Sequence, residues 1–474
     1  MGEVREHCGV VALSAPQKTI QVSRYTFDGL VALQHRGQES AGIYVYNGKN
    51  IKGHKGLGLV SEVFSRSLLS SLMGNVAIGH VRYSTTAKSD LESAQPYHFT
   101  STYANFAIAF NGTISNFLSL RRELEEKGHV FTSDSDTEVI AHLIAANLLE
   151  VEDYMDALTL TMKQLEGAYS LVLLSDNGEI YGVRDPLGFK PLCLGWLPQN
   201  DIYAMASETA AIDTLGGEFI SDISPGEIVR VADGEVTRRT AISLKRHARC
   251  MFEFVYFSRP DSVFDGVPVY EARERLGRIL YKLHPADADL VVPVPDSGRS
   301  AATGYSEESG IPMAEGLMKN RYVWRTFIMP VQAHRENQVR LKFNPVKSIV
   351  KDREIVLVDD SIVRSTTIKQ IVAMLKRAGA KKVHVRVSCP PIIAACYMGI
   401  DFPTRRELVA ASHTVEEICR FIGADSLGYM TIEGLIEGIG LPESELCLAC
   451  LNGRYPIENI DVELLEKTLG GARR

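Results

Sequence analysis

Cys8 heads the apolar, small-residue run GVVALSA, which places a thiol at the mouth of what reads as a buried first strand. An unaccompanied cysteine there is ordinarily a small core residue, because free cysteine is among the most buried residue types. Its company gives it another meaning. Arg82 lies in GHVRYSTT, the Asn111-Gly112 pair in FNGTISN and Asp136 in SDSDTEV, and LQHRGQESAGI precedes all three. Cleaving a side-chain amide requires a nucleophile, a base within its reach, donors for the developing oxyanion, and charges that hold the amino acid's ammonium and carboxylate. An arginine fork matches a carboxylate bidentately, and an aspartate accepts from an ammonium. Asn-Gly can present an amide and a backbone N–H to an oxyanion. Each feature also has a plainer meaning: Asn-Gly is a common turn and Asp136, just before TEVIAHL, could be a helix N-cap.

A second constellation occupies 355–367, IVLVDDSIVRSTT: an apolar run, two carboxylates, then a hydroxyl-rich loop entering a helix. Backbone N–H groups at such a loop and the helix N-terminus form an anion site, to which Ser361, Thr366 and Thr367 add hydroxyls. Carboxylates beside such a site, here Asp359 and Asp360, can hold ligand hydroxyls or a magnesium ion. The stretch 319–346 brings Lys319, Arg321, Arg325 and Arg340 into an otherwise acidic chain. A solvated charged loop is the ordinary reading of it. Near the carboxyl end, CLAC supplies Cys447 and Cys450, a spacing open to a redox pair, half a zinc site or half an iron-sulfur site.

The elements that would carry these groups change character along the chain. GAYSLVLL, GEIYGV and DIYAMAS alternate as antiparallel strands do, while FLSLRRELEEKG and DTEVIAHLIAANLLE have helical periodicity, so the first half reads as an α+β sandwich. From about residue 250 the order becomes strand, loop, helix in ADLVVPVPDSGRSAATGY, REIVLVDDSIVRSTTIKQIVAMLKRAGA and KKVHVRVSCP, the pattern of a parallel α/β sheet with crossover helices. The change falls between 235 and 250. At 474 residues and 45% hydrophobic, the chain is long enough for two cores. A formal charge of -7 argues against a nucleic-acid partner. No apolar stretch is long enough for a membrane span, and MGEVREH lacks a signal-peptide core, so a cytoplasmic location is expected.

Taken together, the amino-terminal motifs resemble the glutaminase domain of the N-terminal-nucleophile amidotransferases, and 355–367 resembles the PRPP loop of type I phosphoribosyltransferases. From Cys8 to about Pro456 the sequence is similar to the glutamine PRPP amidotransferases. The resemblance implies an αββα sandwich over 8–240, behind a propeptide of residues 1–7, and a phosphoribosyltransferase domain over 241–474 ending in a cluster-binding segment. Removing the propeptide would expose the Cys8 α-amine, whose ordinary pKa of roughly 8 suits a general base. By the same resemblance Cys8 is the nucleophile, Asn111 and Gly112 form the oxyanion hole, and Arg82 and Asp136 bind glutamine. PRPP is held by Asp359, Asp360, Ser361, Arg364, Ser365, Thr366 and Thr367, with Lys319 and Arg325 from a closing lid. Magnesium falls to Ser297, Asp359 and Asp360, and a 4Fe-4S cluster to Cys250, Cys396, Cys447 and Cys450, leaving Cys193, Cys389 and Cys419 as small core residues. Zinc would use the same four thiolates. Purine nucleotides as feedback inhibitors and a homotetramer are further implications. The chain departs from the family at Phe110 (usually His), Thr113 (Asn), Ser365 (Gly), Trp324 (Gly) and Met329 (Gln). Ser365, Trp324 and Phe110 motivate the alternative of a non-catalytic paralogue that binds PRPP or nucleotide.

Overall fold

The computed structural model describes residues 8–83, 91–320, 341–400 and 405–457. Its first half stacks two antiparallel sheets. The first contains β1 (Gly9–Ser14), β2 (Ser40–Tyr46), β3 (Ile51–Leu57) and β4 (Val76–Arg82). The second contains β5 (Tyr97–Thr100), β6 (Asn105–Ile114), β7 (Gly167–Ser175) and β8 (Ile180–Arg184). Strands β9 (Cys193–Leu197), β10 (Ile202–Ala206) and β11 (Glu218–Asp222) complete the first sheet in the order β11-β9-β10-β1-β4-β2-β3. Strands β12 (Glu227–Ala232) and β13 (Glu235–Thr240) complete the second as β13-β12-β8-β7-β6-β5.

Alternation along the strands builds four layers. In β1, Val10 and Ala12 enter the core shared by both sheets, while Val11 and Leu13 face the helix α1 (Ser23–Ala32). In β6, Ala107 and Ala109 face the inter-sheet core, and Phe106, Ile108 and Phe110 face α2 (Asp136–Val151) and α3 (Tyr154–Gln164). Successive strand side chains point to opposite faces, so this sequence must be covered on both sides of each sheet. The αββα sandwich is the result.

The second half is built on a parallel sheet in sequential order: β14 (Leu290–Pro293), β15 (Glu354–Asp359), β16 (Lys382–Val387) and β17 (Ser426–Tyr429). Its first two strands, LVVP and EIVLVD, are near-continuous Val, Ile and Leu, as strands covered on both faces require. Helices α4 (Val269–Leu283), α5 (Arg299–Ser309) and α6 (Thr366–Arg377) pack on it. A short parallel pair joins Arg249–Cys250 to Leu446–Cys447. Among the described residues no helix is long and apolar enough to cross a membrane.

Candidate functional site

The β1–β4 register pairs Gly9 with Val81, so the next position sets Cys8 opposite Arg82 at the sheet's end. The Cys8 thiol donates to the Tyr83 carbonyl at 3.6 Å. Burial pushes its pKa up, with the Tyr83 contact and Arg82 opposing that rise and Asp136 and Glu39 adding to it. The thiol is therefore protonated at rest, and attack needs a base.

Asn111 and Gly112 lie within β6, paired with Ser170 and Tyr169 of β7. They form no turn; the Asn-Gly pair is embedded in a central strand. A Cβ on Gly112 would lie 2.1 Å from the Ala168 carbonyl oxygen, so only glycine fits there. The Asn111 side chain is fully buried, yet neither its Oδ1 nor its Nδ2 has a protein partner. Buried amides are nearly always satisfied, so this one is poised for a ligand. Asp136 opens α2 while Ser135 takes the capping role by accepting from the Thr137 N–H. This corrects the plainer reading of Asp136 as the cap. Its carboxylate instead accepts from Ile114 at 3.4 Å, and burial raises its pKa to about 6.

Three positioning groups were not singled out from the sequence, although His80 lies in GHVRYSTT and Glu138 in SDSDTEV. His80, fully buried on β4 and held neutral by burial with a pKa lowered to about 3, donates from Nε2 to the Phe110 carbonyl at 3.0 Å. Gln95 accepts from the Phe110 N–H at 2.7 Å and donates to Thr137 Oγ1 at 3.0 Å, tying β6 to the start of α2. Glu138 accepts from the backbone and hydroxyls of Thr132 and Ser133 and so shapes the loop before Asp136. The Phe110 backbone is thus held by His80 of the facing sheet and Gln95 of the loop before β5, with its own ring in the hydrophobic core.

The other constellation forms a pocket at the carboxyl end of β15. Asp359, Asp360, Ser361, Ser365 and Thr367 line it, with Ser297 and Tyr256 opposite. Ser297 and Ser361 each donate to Asp360 at 2.5 Å, and the Asp360 N–H donates to Asp359 Oδ1 at 2.9 Å. Burial raises the Asp360 pKa, which those hydroxyls and Arg273 oppose. Ser365 adopts φ +57°, a left-handed conformation immediately before α6. Thr366 is the first residue of that helix. Arg364 extends to Glu407 at 2.7 Å and Lys319 to Asp296 at 2.9 Å, so in this state both are paired beside the pocket. Arg321, Trp324, Arg325, Met329 and Arg340 lie outside the described residues, as do 1–7.

The left-handed region costs a non-glycine residue roughly 1–2 kcal/mol. Ser365→Gly is accordingly expected to leave folding intact and to lower the KM for PRPP, whereas β-branched Ser365→Val should raise it. Steady-state kinetics with PRPP varied separate the two.

The four cysteines gather from distant segments. Cys250 and Cys447 are direct register partners. The Cys450 carbonyl accepts from Ile393 at 2.9 Å and from Ala394 at 3.1 Å, and Cys396 Sγ accepts from the Met398 and Ile400 N–H groups at 3.3 and 3.4 Å. Burial pushes the Cys250 thiol up to about 12 and raises Cys396, Cys447 and Cys450 as well. Without a metal, then, these are protonated thiols. Cys193 and Cys389 are buried and Cys419 half-buried.

The glutamine amidotransferase domain family matches residues 80–214. Amidophosphoribosyltransferase of Methanocaldococcus jannaschii is 50% identical, with 95% of this chain and 98% of the relative covered. That of Bacillus subtilis is 44% identical over 96% of this chain and 95% of its own. Among solved structures, the B. subtilis glutamine PRPP amidotransferase in complex with ADP and GMP matches with a TM-score of 0.87 and 42% identity, covering 95% of this chain and 98% of its own. A thiol-headed sandwich joined to a phosphate-binding parallel sheet, matched over nearly its whole length by such relatives, places this chain in the amidophosphoribosyltransferase family.

Proposed function

We propose that this chain hydrolyses glutamine at Cys8 and transfers the ammonia to C1 of PRPP, giving 5-phosphoribosylamine, pyrophosphate and glutamate, the first committed step of purine biosynthesis. The observation that carries the reading is the buried, unpartnered Asn111 amide on β6, whose Phe110 carbonyl is held by His80 of the strand that ends in Arg82, in one chain with the Asp359–Asp360 pocket. In this reading the glutaminase unit spans 8–240 and the phosphoribosyltransferase unit 241–474. Release of residues 1–7 frees the Cys8 amine, which takes the thiol proton. Arg82 and Asp136 grip the glutamine backbone groups. Asn111 Nδ2 and the Gly112 N–H receive the oxyanion. On the other side, Asp359 and Asp360 hold the ribose, and the Ser361–Thr367 loop holds the 5′-phosphate, with Arg364, Lys319 and Arg325 turning to the pyrophosphate as it leaves.

Magnesium fits the carboxylate pair with Ser297, where it would neutralise pyrophosphate. Among the described residues no three His, Cys, Asp or Glu, the four cysteines included, converge on a single ion. Magnesium usually takes only one or two carboxylates and fills its remaining positions with water and substrate phosphate. Cys250, Cys396, Cys447 and Cys450 would hold a 4Fe-4S cluster, whose chemistry here is to cross-link segments far apart in sequence. The N–H donors on Cys396 favour its thiolate form. The B. subtilis structure holds ADP and GMP. Purine nucleotides are accordingly the proposed feedback ligands, and a cytoplasmic homotetramer the proposed assembly.

The test is mass spectrometry of the purified chain together with a glutamine- and PRPP-dependent pyrophosphate assay. A chain beginning at Cys8 and turning over is the expected result. An intact amino terminus with no turnover would favour a non-catalytic paralogue.

Asp136 adds a pH signature. An ionised Asp136 is required to hold the glutamine ammonium, and its pKa of about 6 means that protonation removes that charge as the pH falls through that value. Glutamine binding to a Cys8→Ala chain, followed by calorimetry, should weaken about tenfold per unit below pH 6. In Cys8→Ala/Asp136→Asn, binding should be weak throughout and flat over the same range.

A further inference from the structure

Lys190 is almost wholly buried, 1% exposed, and its Nζ has no hydrogen-bond partner. Among the described residues no carboxylate pairs with it. An isolated ammonium in such a place is costly unless an anion answers it. Its location identifies that anion. The Phe189 carbonyl, one residue before Lys190, accepts from the Cys250 N–H at 3.2 Å, and the Leu187 carbonyl accepts from Ala248 at 2.7 Å. The segment therefore runs alongside the strand that ends in Cys250. Phe189 packs with Ala395, Tyr397 and Met398 on either side of Cys396, and Cys447 packs against the same cluster. Lys190 lies within electrostatic reach of Cys250, Cys396 and Cys447.

We infer that Lys190 is the charge-compensating cation of the cysteine centre, contributed by the sandwich half to ligands that all lie in the other half. The inference rests on the reading of the four cysteines as metal ligands. Four thiolates around a zinc ion carry a net charge of about −2, and four around an oxidised cubane cluster carry the same. No other buried unpartnered cation stands beside these sulfurs among the described residues. Lys190 offsets part of that charge and lowers the energy of the loaded state. With a redox-active cluster it also favours the reduced form, which bears one more negative charge.

The experiment uses the full chain, purified without oxygen, as wild type, Lys190→Met and Lys190→Arg. Iron, sulfide and zinc content, the rate of metal release to a chelator and, for an iron cluster, the reduction potential are measured on each. Losing an outer-shell partner commonly costs roughly 10–100-fold in metal affinity. Lys190→Met is expected to release metal faster by a factor of that order and to show a more negative potential, and Lys190→Arg to stay close to wild type. A Lys190→Met chain that loads fully, holds its metal as long and keeps the wild-type potential overturns the inference. Equal failure of Met and Arg also overturns it, because the defect would then lie in packing and not in charge. A wild-type chain without metal sinks the underlying cysteine reading first, and this inference with it.

Discussion

Cys8→Ala is expected to abolish glutamine-dependent phosphoribosylamine formation while leaving the reaction with added ammonia at near wild-type rates. Removing a catalytic nucleophile commonly costs roughly 10^4- to 10^6-fold. The selectivity follows from where the groups sit. Cys8 and Arg82 lie at the ends of β1 and β4, Asn111 within β6 and Asp136 at the start of α2, whereas the Asp359–Asp360 pocket is formed by β15 and the loop into α6. None of the second set depends on the Cys8 sulfur. Burial already holds that thiol in its protonated form, so an alanine there leaves no buried charge unanswered and should fold normally. Parallel assays with glutamine and with ammonium salts at alkaline pH decide the matter. Equal loss in both would contradict the division of labour between the two halves.

Much of this arrangement was legible because the residue types are costly to place by accident. An acidic pair between an apolar strand and a hydroxyl-rich loop has few uses, and the structure sets Asp359 and Asp360 in a pocket with Ser361, Ser365 and Thr367. The departure at Ser365 marked a position where the backbone has positive φ. Strand alternation in β1 and β6 gave the layered sandwich, because period-two patterning states which face is covered. What stayed hidden depends on distance along the chain. His80 and Gln95 serve Phe110 from a facing strand and a preceding loop, and although His80 stands in GHVRYSTT nothing there names its partner. Lys190 sits in an unremarkable loop and meets cysteines that lie from 60 to 257 residues later. The Asn-Gly pair illustrates the converse error, since local propensity favours a turn and the sheet places it mid-strand.

Arg36→Met should be among the most destabilising single substitutions in the chain, lowering the unfolding free energy by about 3–5 kcal/mol. Arg36 is 1% exposed and bridges two carboxylates that are themselves buried. Its Nε donates to Glu208, and its second amino group donates to Glu253 Oε2 at 2.5 Å. Glu208 belongs to the sandwich, just after β10, whereas Glu253 opens the helical turn Glu253–Phe257 that follows Cys250. The partners are 172 and 217 residues from Arg36, so this one side chain fastens the halves together. Gly37 beside it lies so close to Arg82 that a Cβ would meet the Arg82 nitrogen at 2.6 Å, and Tyr256 of the helical turn lines the Asp359–Asp360 pocket. A shift at Arg36 should therefore reach both substrate sites. The pH dependence gives the sign. In the wild type, Arg36 and His35 hold the Glu208 pKa well below the usual value, despite the opposing effect of burial. Its contribution to stability is thus present above the unfolded pKa and lost as the pH falls through the folded one. With methionine at 36, burial of Glu208 is less opposed and its carboxylate favours the protonated form more than in the wild type. The variant should then become relatively more stable from pH 7 to pH 5, where the wild type changes little through this pair. Chemical denaturation of both chains at the two pH values measures the difference. A variant within 1 kcal/mol of wild type at pH 7 would show that the guanidinium contributes little to holding the halves together.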